Sequence, residues 1–147
     1  MKRVGEFRKL LGVTADVTLK ELKNIYRNQM KATHPDKFVD DPQGLQQAEE
    51  NSKVIIEAYH FLTSIHPDTH LANQEEYTHT TQQVAIQDYY FEKRVLFIQH
   101  ANGIQYEYLG VPQPTFVKMI NSDSPIRFAK RHIYGKFLFR KSSNAND

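Results

Sequence analysis

The hydrophobic period of this chain changes once, and that change constrains the fold more than any other feature. Up to residue 65 the apolar residues recur at intervals of three and four: Leu22, Ile25, Tyr26 and Met30, then Val54, Ile55, Ala58, Phe61, Leu62 and Ile65. Such spacing puts them on one face of a helix. From residue 83 the period is two. Val84, Ile86, Asp88 and Tyr90 alternate with polar neighbours, Val95-Leu96-Phe97-Ile98 is a short apolar run, and Ile104, Tyr106 and Tyr108 alternate again. Alternation marks strands with one buried face. A chain of 147 residues has room for two small domains. The two periods predict an all-α helical hairpin followed by a small α+β domain with an antiparallel sheet and one helix.

In the first half, residues 7–13 read as a short helix closed at Gly12, with Phe7, Leu10 and Leu11 as its apolar face. Thr18-Leu19-Lys20-Glu21 has the form of a capping box, in which the threonine hydroxyl and the glutamate carboxylate each take a backbone N–H. A helix over residues 19–33 follows. Pro35 disfavours helical geometry at His34 and stops it there. Asp40-Asp41-Pro42-Gln43-Gly44 predicts a loop, and residues 46–65 a second long helix that Pro67 ends. Two such helices joined by a short loop lie antiparallel.

On the first long helix Lys20, Lys23, Arg27 and Lys31 fall opposite the apolar face, within an arc of about 80°. The plainest account of a lysine run is a solvated face. Here the stripe leads into His34-Pro35-Asp36-Lys37, which places a histidine, a rigid proline and an aspartate at the tip between two helices. Asp36 is within reach of Arg27, a pairing that would fix the loop. Proline removes conformational freedom before binding and so lowers its ordering cost. No candidate nucleophile or phosphate cradle accompanies His34 and Asp36, so the tip is expected to bind rather than catalyse. No catalytic residue, cofactor or metal is expected.

Leu10-Leu11-Gly12-Val13, Leu22-Lys23-Asn24-Ile25-Tyr26-Arg27, His34-Pro35-Asp36-Lys37 and Glu57-Ala58-Tyr59-His60-Phe61-Leu62 occur in one order. Residues 5–68 thereby resemble a J-domain of the DnaJ family. The resemblance implies docking on a DnaK-class chaperone and stimulation of its ATP hydrolysis. It assigns that contact to His34, Pro35, Asp36, Lys20, Lys23, Arg27 and Lys31. Ser52 stands where the family often has a core phenylalanine, Ile56 where asparagine is common, and Ser64-Ile65-His66-Pro67-Asp68 where many members have a short basic helix.

Residues 69–81 are polar and read as a linker, with His66 and His70 as ordinary surface residues. Beyond it, Asn102-Gly103 is a strong hairpin signal, because a tight turn needs positive φ. Residues 115–121 are expected to form the helix, residues 128–133 a helical turn and residues 134–139 the closing strand. Leu96-Phe97-Ile98, Gly103-Ile104-Gln105-Tyr106-Glu107-Tyr108, Gly110-Val111-Pro112, Phe116, Ser124 and Ile133-Tyr134 with Phe137 resemble the KTSC domain, a small α+β module. That resemblance covers residues 83–141 and implies a fold without an activity. The expected boundaries are 1–68, a linker at 69–81, 82–141, and a disordered tail at 142–147.

From residue 76 on, nine lysines and arginines face six acids. Arg127, Lys130, Arg131, Lys136 and Arg140 crowd near Phe128, Tyr134 and Phe139, a combination suited to nucleic acid. The plainer account is that the aromatics fill a small core and the cations solvate its rim. The net charge of +2 implies no nucleic-acid partner by itself. The chain has no cysteine and no apolar run long enough for a membrane span, so a cytoplasmic protein is expected. The function expected is that of a co-chaperone whose second domain selects a client or a location. The alternative is an adaptor that carries the chaperone to nucleic acid.

Overall fold

A computed structural model describes residues 2–142. Of the tail expected at 142–147, residues 143–147 lie outside the described residues, and Ser142 is tied to the sheet, its N–H donating to Gln105 O at 2.8 Å. The chain forms two compact units, residues 1–69 and 70–147.

The first unit is built on three helices: α1 (Lys2–Leu11), α2 (Leu19–Thr33) and α3 (Pro42–Ile65). A 3-10 helix, Pro35–Phe38, lies between the last two. Helix α1 begins before the expected residue 7 because Val4 and Leu11 are its buried positions, while Leu10 faces solvent. Gly12 closes it at φ +70°, a conformation in which glycine carries no Cβ penalty. The capping box at α2 is complete: Glu21 N–H donates to Thr18 Oγ1 at 3.0 Å and Thr18 N–H to Glu21 Oε1 at 3.3 Å. Helix α3 starts at Pro42, inside the run expected to be a loop, with the proline in its first turn where no N–H is needed. Glycine is favoured at position 44 because a Cβ there would run into the Asp41 carboxylate and the Phe38 ring.

Two contacts give the direction of the hairpin. Ser52 Oγ donates to Thr33 O at 3.3 Å, and the Tyr26 and Tyr59 rings stack at 4.1 Å. Seven residues back along α2 thus correspond to seven forward along α3, so the helices are antiparallel. Leu22, Ile55, Ala58, Phe61, Leu62 and Ile65 are buried in this unit. Ser52 is buried too, and its bond to the last carbonyl of α2 explains a small polar residue at that position.

Helix α4 (Pro67–Ala72) spans the division between the units. Helix α5 (Gln74–Gln83) belongs to the second unit, followed by strands β1 (Ile86–Glu92), β2 (Val95–His100) and β3 (Gln105–Leu109), helices α6 (Gln113–Ile120) and α7 (Pro125–His132), and β4 (Phe139–Lys141). The sheet is antiparallel throughout in the order β1-β2-β3-β4. Leu96, Ile98, Tyr106, Tyr108, Val111, Met119, Ala129 and Ile133 form its core.

The stretch expected to be a linker is instead part of this core. Tyr77 of α5 stacks on Phe139 at 4.1 Å, meets the Tyr106 ring edge-on at 4.8 Å, and its hydroxyl lies 3.1 Å from that of Tyr108. Thr80 and Thr81 are buried. His70 stacks on Phe139 at 4.2 Å and reaches its carbonyl at 2.8 Å, so it is no ordinary surface residue. The other corrections are local. Residues 125–132 form a full helix, the closing strand is displaced to residues 139–141, and Gly135 turns the chain between them at φ +77°.

Candidate chaperone-docking site

The end of α2 presents the tip. His34 has left helical geometry (φ −62°, ψ 131°), as the following proline requires. Its Nδ1 accepts the Asp36 N–H at 3.2 Å, and its carbonyl accepts the Lys37 N–H at 3.1 Å. An accepting Nδ1 puts the proton of a neutral imidazole on Nε2. His34 thus offers an N–H donor, and its side chain is 51% exposed. The Asp36 carboxylate is 88% exposed and lies 3.5 Å from His34 Nδ1. The expected pairing of Asp36 with Arg27 does not form: the carboxylate turns back to its own loop, and Arg27 is left outside any ion pair of the described residues.

Lys20, Lys23, Arg27 and Lys31 are all exposed. Arg27 and Lys31 join Tyr26, Met30, His34, Asp36 and Lys37 around a groove of about 780 Å³. Lys20 and Lys23 lie farther up the helix and do not line it. Tyr26 and Met30, read from the sequence as core residues, supply the groove's apolar wall. They sit where the apolar face of α2 meets the basic stripe, and a boundary position serves both. The arrangement combines apolar contact, cations without internal partners, and an exposed carboxylate beside an exposed imidazole.

A second His-Pro-Asp triplet supplies an internal control. His66 ends α3 with φ −64° and ψ 138°, and its Nδ1 accepts the Asp68 N–H at 3.0 Å. The local turn is that of His34-Pro35-Asp36. The surroundings differ: the His66 side chain is 12% exposed, and its Nε2 donates to Val17 O at 2.8 Å. The second imidazole is consumed in holding the α1–α2 connector to the end of α3. A free Nε2–H and the flanking cations, not the tripeptide itself, distinguish the first triplet.

In the second unit the proposed cations separate. Arg140 is buried with Glu107, 2.7 Å away, and Ser142 donates to the same carboxylate oxygen at 2.8 Å. Lys130 reaches Gln82 O at 3.4 Å. Arg127, Arg131 and Lys136 are exposed. The three aromatics, Phe128, Tyr134 and Phe139, all pack on the core. Burial pushes the Tyr134 hydroxyl well above the usual phenol range, and Tyr106 up to about 12.

The class follows from an antiparallel helical pair whose tip exposes His34 and Asp36 beside a basic helix, in a chain that goes on to a small sheet domain. Residues 6–65 match the DnaJ domain and residues 80–137 the KTSC domain. A DnaJ domain followed by a KTSC domain is thus the composition of this chain. It is similar to the chaperone protein DnaJ of Halothermothrix orenii, with 39% identity over 50% of this chain and 18% of that protein. It is also similar to an uncharacterized J domain-containing protein of Schizosaccharomyces pombe, with 44% identity over 39% of this chain and 14% of that protein. The match therefore spans less than a fifth of either relative. Among the described residues no helix is long and apolar enough to cross a membrane.

Proposed function

We propose that this chain is a J-domain co-chaperone that docks on a DnaK-class ATPase through the groove at the end of α2 and stimulates its ATP hydrolysis. The observation that carries the reading is the contrast between the two His-Pro-Asp turns: both carboxylates are exposed, but only the turn beside the basic stripe keeps its imidazole N–H exposed and free of an internal acceptor. The chain contributes no catalytic group; hydrolysis takes place in the partner. It works in the cytoplasm, and its second unit selects the client or the location.

Single-turnover ATP hydrolysis by a DnaK chaperone tests this. Wild type accelerates it; His34→Gln and Asp36→Asn do not, with unchanged helical circular dichroism. Lys23→Glu weakens binding, and added salt weakens wild-type binding, because exposed charges are screened over about 8 Å at physiological ionic strength. Full stimulation by both tip variants would sink the proposal.

A further inference from the structure

Helix α7 has two unlike sides. Ala129 is fully buried and Phe128 packs against the core, whereas Arg127, Lys130, Arg131 and His132 are exposed. Arg127 and Arg131 lie four residues apart on one strip of the helix, and Phe128 and His132 four apart on the adjoining strip. With Ser122, Asp123 and Ser124 they line a cleft of about 230 Å³. The Phe128 and His132 rings lie 4.7 Å apart at its edge.

The cations of the second unit are unequally engaged. Arg140 pairs with Glu107, Lys141 with Glu76 at 2.8 Å, and Lys130 reaches a backbone carbonyl. Among the described residues Arg127 and Arg131 are in no ion pair. Two guanidinium forks in a concave site suit phosphate oxygens, which they bind bidentately. The adjacent ring pair is a surface on which a base stacks. Asp123 is the one carboxylate of the lining. A carboxylate among cations repels a bare phosphate but accepts from a hydroxyl beside one, and RNA differs from DNA in carrying such a hydroxyl. A cleft this small excludes a duplex and takes a phosphate with part of one nucleotide, which an unpaired strand can present.

We propose that this cleft binds single-stranded RNA, with backbone phosphates on Arg127 and Arg131, a base against Phe128 and His132, and a ribose 2′-hydroxyl on Asp123. The site narrows the earlier basic cluster: Lys130 and Arg140, though near it in sequence, are engaged within the fold. The proposal rests on the second unit being the targeting element.

The test is fluorescence anisotropy of the full chain with a labelled oligouridylate and its deoxy counterpart. Two phosphate contacts on a single strand give a logarithmic salt slope of about −1.4, so wild-type affinity falls about sevenfold between 50 and 200 mM salt. Arg127→Ser with Arg131→Ser lowers affinity at least about tenfold and flattens that dependence. Both side chains are exposed, so circular dichroism stays unchanged. Asp123→Asn narrows the preference for RNA over DNA. Wild-type affinity in the double-arginine variant overturns the proposal. So does equal affinity of wild type for RNA and DNA, or a loss seen with Lys23→Glu instead. The double-arginine variant stimulates DnaK as wild type does; a chain that binds RNA in this way but stimulates no DnaK retains this site and loses the co-chaperone function.

Discussion

Replacing either triplet histidine separates docking from folding. In His66→Ala the Val17 carbonyl loses the Nε2–H that meets it at 2.8 Å, and the Asp68 N–H loses its acceptor at 3.0 Å. The imidazole is 12% exposed, so water replaces it poorly. Leaving a buried acceptor unmet costs about 1–3 kcal/mol, and losing an end cap about 1 kcal/mol. The expected loss is about 2–4 kcal/mol, concentrated in the first unit. For a domain of this size, even the lower end moves the melting temperature down by about 8 °C or more. In His34→Ala the same backbone bond is lost, but from an imidazole that is 51% exposed. Water takes its place, and the expected cost is within about 0.5 kcal/mol. Thermal melts by circular dichroism at 222 nm measure both, and single-turnover hydrolysis below the melting range measures function. His66→Ala should melt early yet stimulate DnaK; His34→Ala should melt normally and fail. Equal stability losses, or a folded His66→Ala chain that no longer stimulates, would refute the distinction between the two turns.

Three further outcomes are expected. His100 is fully buried, and burial lowers its pKa below the usual range, against a partial rise from its contact with Val84 O. Its share of stability is therefore complete above the unfolded value near 6.5 and drains away as pH falls from there through the lowered folded value. Urea titrations followed by tyrosine fluorescence should show the second unit weakening between pH 7.5 and 5.5. Arg140→Ala strands the buried Glu107 carboxylate and should cost about 3–5 kcal/mol in the same assay, whereas Glu107→Leu with Arg140→Met should cost less than that single change. A fragment of residues 70–147 retains Tyr77 and its stack on Phe139 and should fold; one of residues 80–147 lacks them and should lose about 3–5 kcal/mol and its dispersed amide spectrum.

Much of the first unit was legible because its signals are local. A capping box needs only Thr18 and Glu21, and a helix stop needs only Pro35. What escaped were choices made by contacts distant in sequence. Asp36 was expected on Arg27, since opposite charges near one another should pair; the loop instead turns the carboxylate toward His34, its neighbour in sequence. His66 showed no sign of burial, because its partner carbonyl is at Val17, 49 residues away. In the sheet, Asn102-Gly103 was readable: Gly103 has φ +87° and Asn102 Oδ1 accepts from Ile104 N–H at 3.1 Å. The other tight turn was not. Lys93 and Arg94 both take positive φ, a conformation usually supplied by asparagine, aspartate or glycine.

The phase of β1 shows how a correct period can still misplace side chains. Val84, Ile86, Asp88 and Tyr90 alternate in sequence, which would put Tyr90 on the same face as Ile86. The register shifts between Ile86 and Asp88, and a shift of one residue exchanges the two faces. Beyond it Tyr89 and Phe91 pack on the core, while Tyr90 is exposed and stacks on Phe97 at 4.5 Å. The same logic explains α5. Its threonines and glutamines carry no apolar stripe, so composition argued for a linker. One large ring decided otherwise: Tyr77 fills the space beside Phe139, Tyr106 and Tyr108, and Thr81 secures its hydroxyl by donating back to Tyr77 O at 2.8 Å. A helix can be recruited to a core by a single aromatic residue when its remaining inward positions are small enough to lie flat and can bond their own backbone. The folding boundary consequently falls at residue 69, ahead of the polar stretch rather than after it.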